Sequence, residues 1–283
     1  MPPPPPLHLH LPLSSLSLSL ILKLAATSIT GITALVAWRN MLRNDTLQTQ
    51  FHHIRTSLRF LRRSPTIYLL GFKGRGKSAF LNTACRVLGE EDGPLVFRSE
   101  TAPLGPTRTT VQKSAVHLSA GNEDGESCVV TFVDTPGLPL RFLRRGDVEE
   151  ALRPVPEAGV PAPDCVVVVL RCSDVLQRAA DMRLAEIVEV VRERGLHFIL
   201  LLTHKKSLRS MKQMGEIRKE VATRARTDCI YFIENYTVGS PMDDRNVIAV
   251  RNNFDTHNVT LAVIRQCIEF AIIHRSCRPQ ATS

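Results

Sequence analysis

Residues 71–78 read Gly71-Phe72-Lys73-Gly74-Arg75-Gly76-Lys77-Ser78, which sets glycines, a lysine and a hydroxyl at the spacing G-x-x-x-x-G-K-[ST]. Those residue types at that spacing suit the holding of a chain of phosphates. Glycines let backbone amides close around phosphate oxygens, and the start of the following helix offers N–H groups with no intrahelical partner. Lys77 is the ammonium expected to reach the β- and γ-phosphates, and the Ser78 hydroxyl is the expected ligand for Mg²⁺. Gly71, Gly74 and Gly76 permit close backbone approach, and Phe72 and Ala79 complete the cradle. Lys73 and Arg75 have two readings, as extra positive charge beside the phosphates or as exposed loop cations without contacts.

A second group, Asp134-Thr135-Pro136-Gly137, follows the apolar run 127–133. A carboxylate at the end of a buried strand can hold Mg²⁺ through water, and the Gly137 amide can bond a γ-phosphate, which would make the loop after it nucleotide-sensitive. Between the two groups, the loop 101–110 should supply a threonine that closes over metal and phosphate. Thr107 is the first choice, with Thr109 and Thr110 as alternatives. The expected catalytic set is therefore Lys77, Thr107, Asp134 and Gly137, and the expected metal set Ser78, Thr107 and Asp134.

These groups need strands and helices to hold them. A β-prone run at 66–70 leads into the phosphate motif and a helical stretch from 77 to about 88 leaves it. Apolar runs at 197–203 and 229–233 read as strands, and 182–194, 211–224 and 259–274 read as helices. Residues 111–118 and 127–133, joined by an acidic turn, read as an antiparallel edge hairpin. This order predicts an α/β, P-loop NTPase type of three-layer fold: a mainly parallel sheet, one antiparallel edge hairpin and helices on both faces, with the ligand at the strands' carboxyl edge.

The chain has 283 residues and a net charge of +9, but the charge sits early, since no acidic residue precedes Asp45. That placement points to a membrane surface rather than nucleic acid. Five domains or segments are expected: a proline-rich tail at 1–14, a candidate transmembrane helix at 15–38, a basic amphipathic helix at 39–64, the nucleotide domain at 65–276 and a tail at 277–283. Leu47, Phe51, Ile54, Leu58 and Leu61 form one helical stripe, which suits either lipid or the domain itself. Seven cysteines without a C-x-x-C pair read as reduced thiols, as expected of a cytosolic domain.

The run Lys77-Ser-Ala-Phe-Leu-Asn82, the strand end Leu-Leu-Thr203-His204 and the pair Asn235-Tyr236 carry a family resemblance over residues 66–275. The chain resembles the TRAFAC-type P-loop GTPases and looks most like the interferon-induced protein 44 group, with plant-type immune-associated and chloroplast-import GTPases also similar. The resemblance implies a GTP/GDP-binding domain with Mg²⁺ and a homodimer or an effector as protein partner. Outside its reach, the apolar segment and the arginines after it suggest membrane association through residues 15–64 with the domain in the cytosol, a soluble cytosolic or organelle-targeted chain being the alternative. Base contacts are expected from Thr203, His204, Lys205 and Asn235. Related proteins that read guanine use Thr-His-x-Asp, whereas here Thr203-His204-Lys205-Lys206 is followed by Ser207, so the guanine-reading aspartate is missing and an ATP-binding protein is an alternative. Leu138 stands where many small GTPases keep a water-orienting glutamine, which implies slow or partner-assisted hydrolysis, or a non-catalytic scaffold.

Overall fold

The computed structural model describes the backbone of residues 18–89, 112–123, 126–176, 181–236 and 253–277. Six strands form one sheet: β1 (Thr66–Gly71), β2 (Ser114–Glu123), β3 (Glu126–Asp134), β4 (Cys165–Arg171), β5 (His197–Thr203) and β6 (Ile230–Phe232). Their spatial order is β2-β3-β1-β4-β5-β6. Every neighbouring pair is parallel except β2 with β3, which is antiparallel and closes that edge as a hairpin. The expected α/β architecture is therefore present.

The inner strands are apolar along their length because both faces are covered. Tyr68, Leu70, Val166, Val168, Leu200 and Leu202 point to one face, where they pack with α5 (Asp181–Glu193) and α6 (Met211–Ala225) through Leu184, Ile187, Ile217 and Val221. Alternate residues, among them Ile67, Leu69, Phe132, Val167 and Ile199, point to the other face. There they meet α2 (Lys77–Gly89) and α7 (Phe254–Cys277). Two short helices, α3 (Arg145–Ala151) and α4 (Cys172–Leu176), follow β3 and β4. The strand period of two thus feeds two cores from one set of strands.

The first helix, α1 (Leu18–Arg59), runs through residues 38 and 39 without a break. From Leu47 onward the chain belongs to one compact unit, and residues 1–46 form another. Within the larger unit Phe51, Ile54 and Leu58 are buried in the α2/α7 core, with Leu47 and Leu61 packed beside them. The stripe on this helix is therefore spent on the domain. Within the smaller unit Ile32, Leu35, Val36, Trp38, Met41 and Leu42 are exposed. Among the described residues no helix is long and apolar enough to cross a membrane. Most of the span expected at 15–38 precedes Thr30, where the described side chains begin. The proline-rich tail and the loop 101–110, with Thr107, Thr109 and Thr110, lie outside the described residues.

Candidate functional site

Loop 71–78 leaves the carboxyl end of β1 and enters α2 at Lys77. It leaves through Gly71, whose φ is +155°, against the neighbouring strand. A Cβ there would stand 2.3 Å from the Val169 carbonyl oxygen, so only glycine lets β1 and β4 stay paired at this point. Phe80 N–H donates one turn back to Gly76 O at 2.9 Å, which makes this the first turn of α2, the end of a helix that suits an anion.

Lys77 is 6% exposed. Its Nζ turns back over the loop and donates to the carbonyl oxygens of Gly71 at 3.1 Å and Phe72 at 3.4 Å. Burial lowers its pKa to about 8, against an opposing pull from the Asp134 carboxylate. Asp134, at the end of β3, is fully buried. The Ser78 hydroxyl donates to its Oδ2 at 2.6 Å. Two elements that meet only through the fold thus bring a hydroxyl, a carboxylate and an ammonium to one strand edge. A hydroxyl beside a carboxylate is a hard-oxygen pair that fits Mg²⁺, an ion that keeps several waters and shares phosphate oxygens. No group of three or more His, Cys, Asp or Glu gathers to hold a metal among the described residues.

Beyond Asp134 the chain runs alongside the loop. Leu138 N–H donates to Gly71 O at 3.0 Å, and Lys73 N–H donates to Leu138 O at 3.2 Å. This pairing draws Gly137 so close that a Cβ there would lie 2.5 Å from Lys73 Cα. The Leu138 side chain is 3% exposed and packs in the core with Phe72, so it offers no polar group to a ligand.

The residues expected to contact a base are joined to the same loop. The Thr203 hydroxyl reaches both Arg75 O at 2.9 Å and Leu170 O at 3.1 Å, tying β5 to the loop and to β4. His204 has φ +59° and its Nδ1 lies 3.1 Å from Thr203 Oγ1. Burial and then the Arg171 guanidinium hold its pKa below the ordinary imidazole range. Lys205 N–H donates to Ile233 O at 3.2 Å, and Lys206 N–H to Glu234 Oε2 at 2.8 Å. Asn235 Nδ2 lies 3.4 Å from Gly76 O, while its buried Oδ1 has no hydrogen-bond partner among the described residues.

Of the two loop cations, Lys73 is exposed and Arg75 is not free. Arg75 Nε pairs with Asp174 Oδ2 of α4 at 2.5 Å, and Asp174 is 5% exposed. Asp174 and Glu234 are further carboxylates at this edge, without a motif of their own. The available signal is their place, each one to three residues past the end of a buried strand. All the expected site residues that are described therefore converge on the carboxyl edge of β1, β3, β5 and β6. Neither a protein-family model nor a curated protein matches this chain.

Proposed function

We propose that this chain is a guanine-nucleotide-binding switch that requires Mg²⁺ and hydrolyses GTP slowly or with a partner's help. The observation that carries the reading is the meeting of Lys77 with the Ser78–Asp134 pair where the amides of α2 begin. Lys77 leaves its two carbonyl partners to bind the β- and γ-phosphate oxygens, and the first-turn amides of α2 hold the phosphates around it. Ser78 and Asp134 hold Mg²⁺, with Thr107 as the third proposed ligand. Bound there, the ion offsets phosphate charge. Gly137 supplies an amide toward the γ-phosphate, and the loops 101–110 and 134–163 are the proposed responders. His204, Lys205 and Asn235 border the base, with the unpartnered Asn235 Oδ1 as an acceptor for a base N–H.

Burial of Leu138 favours a second reading, a nucleotide-bound scaffold without catalysis, because no side chain at that position can orient water. Titration of labelled GTP, GDP and ATP into the protein, with and without Mg²⁺, separates these readings. Tight Mg²⁺-dependent guanine binding with product release supports the switch. Binding without turnover supports the scaffold, and equal affinity for ATP removes guanine specificity. Association with a membrane, the domain facing the cytosol, is the proposed setting. The exposed apolar residues of α1, with Arg39 and Arg43 among them, support it.

A further inference from the structure

At the end of the sheet opposite loop 71–78, where β1 begins, a cavity of about 800 Å³ opens beside the connection from α1 to β1. Arg62, Arg63 and Ser64 line it from that connection, Thr131 from β3 and Arg275 from the last turn of α7. Its one carboxylate among the described lining residues, Asp164, is already satisfied. Arg275 donates to both Asp164 oxygens, at 2.9 and 2.5 Å, and the Thr66 N–H donates to Oδ2 at 2.8 Å. The rest of the Arg275 guanidinium is spent on Arg63 O at 2.7 Å and Ser64 O at 2.9 Å. Arg62 and Arg63 are exposed, and neither guanidinium has a hydrogen bond or ion pair among the described residues. The cavity therefore carries two uncommitted positive charges. On its wall the Ser64 and Thr131 hydroxyls lie 2.8 Å apart, and His117 Nδ1 reaches Thr131 Oγ1 at 3.0 Å. Phe60 stands at the lining too, 79% exposed.

We propose that this cavity receives the phosphomonoester headgroup of an anionic lipid, with Arg62 and Arg63 binding the phosphate and Phe60 entering the acyl boundary. The planar guanidinium fork matches phosphate oxygens in pairs, which favours a phosphomonoester over a diffuse negative surface. A free phosphate satisfies the arginines equally well but leaves Phe60 in water. An aromatic ring beside basic residues suits the headgroup layer, where its apolar body is covered while the cations stay wet. The proposal deepens the membrane part of the function above and rests on it, and it does not depend on the nucleotide.

Co-sedimentation of the full chain with vesicles tests it, comparing phosphatidylcholine alone with phosphatidylcholine carrying phosphatidic acid, or phosphatidylserine at matched surface charge. Tighter binding to the phosphatidic acid vesicles is expected. R62A/R63A should lose about tenfold or more of it, each cation near an anionic surface contributing about 1 kcal/mol. Phe60→Ala should also weaken it, and K212A/K219A on α6, with the same charge change, should not. Nucleotide binding by R62A/R63A should match the parent, which reports folding. Equal binding to both anionic lipids, or an unchanged R62A/R63A variant, overturns the cavity while leaving membrane association standing. Absence of binding to any vesicle overturns both. A parallel calorimetric titration with glycerol 3-phosphate identifies the source: affinity equal to that for the vesicles makes the ligand a free phosphate and overturns the lipid assignment.

Discussion

Lys77 is an ammonium kept in a place that costs it protonation. Its pKa of about 8 means that the folded chain releases this proton well before the unfolded chain, whose lysine titrates near its ordinary 10.5. The unfolded state therefore binds more protons between those two values, and the Lys77 contribution to stability rises with pH across that window. Phosphate binding has the opposite sign, because a polyanion needs the ammonium. Nucleotide affinity should hold between pH 7 and 8 and then fall by up to about tenfold per pH unit. A Lys77→Ala variant should bind about ten- to a hundredfold more weakly and lose that pH slope, the charge-assisted bonds being worth about 1.5–3 kcal/mol. Fluorescence titration across pH checks both, and an equal slope in the variant would assign the effect to another group. Ser78→Ala should remove most of the Mg²⁺ dependence while leaving the Lys77 slope intact. The half of this candidate site on loop 71–78, proposed for phosphate, was legible because its residues are contiguous in sequence. The half proposed for the base was less so: the Thr203 hydroxyl bonds a carbonyl 128 positions earlier, and Asp174 and Glu234 acquire partners only when strand ends align.

The elements draw two stretches of chain tightly together at the edge of this site. Phe72 and Leu138 form a parallel bridge that extends the pairing of β1 and β3 past the end of both strands. Gly137 is the point where that extension is tightest. In Gly137→Ala the new Cβ would meet the backbone of Lys73, 2.5 Å from Cα and 2.9 Å from N, so main chain must move. Overpacking of this kind costs about 1–3 kcal/mol, and nucleotide affinity should fall with it. Gly146→Ala, in the nearby α3, meets nothing within 4 Å and should be neutral or stabilising by up to about 1 kcal/mol. Urea unfolding of the pair measures the contrast, and equal stability of the two variants would refute the close approach. Long periodic elements were legible from sequence: α5 and α6 begin within one residue of expectation. The α7 helix starts five residues early because Asn253 caps it, its Oδ1 accepting from Asp255 N–H. The seven-residue α3 and five-residue α4 are too short to show a helical period, and tertiary contacts decide them.

At the scale of the domain, one cluster stitches together its first, middle and last segments. Arg275, which belongs to no motif, joins α7 to the entry of β4 through Asp164 and to the chain before β1 through two carbonyls. Asp164 in turn holds the first residue of β1, and its own N–H donates to Thr66 O at 2.9 Å. The pair is only partly exposed, 29% for the arginine side chain and 12% for the aspartate. Removing one partner leaves the other charge half-buried, together with carbonyls that have lost their donor. Arg275→Met should therefore destabilise the domain by about 2–4 kcal/mol. Adding Asp164→Asn to it should cost less than the sum of the two single changes, because the second loses a partner already gone. Denaturant unfolding of the four proteins in the cycle reads this directly. Strict additivity would mean that the ion pair contributes nothing and that α7 is held by its apolar face alone, through Leu261, Ile264 and Ile268. Coupling would mean that α7 is fixed at the pole opposite loop 71–78. The nucleotide affinity of Arg275→Met, measured well below its unfolding midpoint, should then equal that of the parent, since the lost contacts lie at the far end of β1.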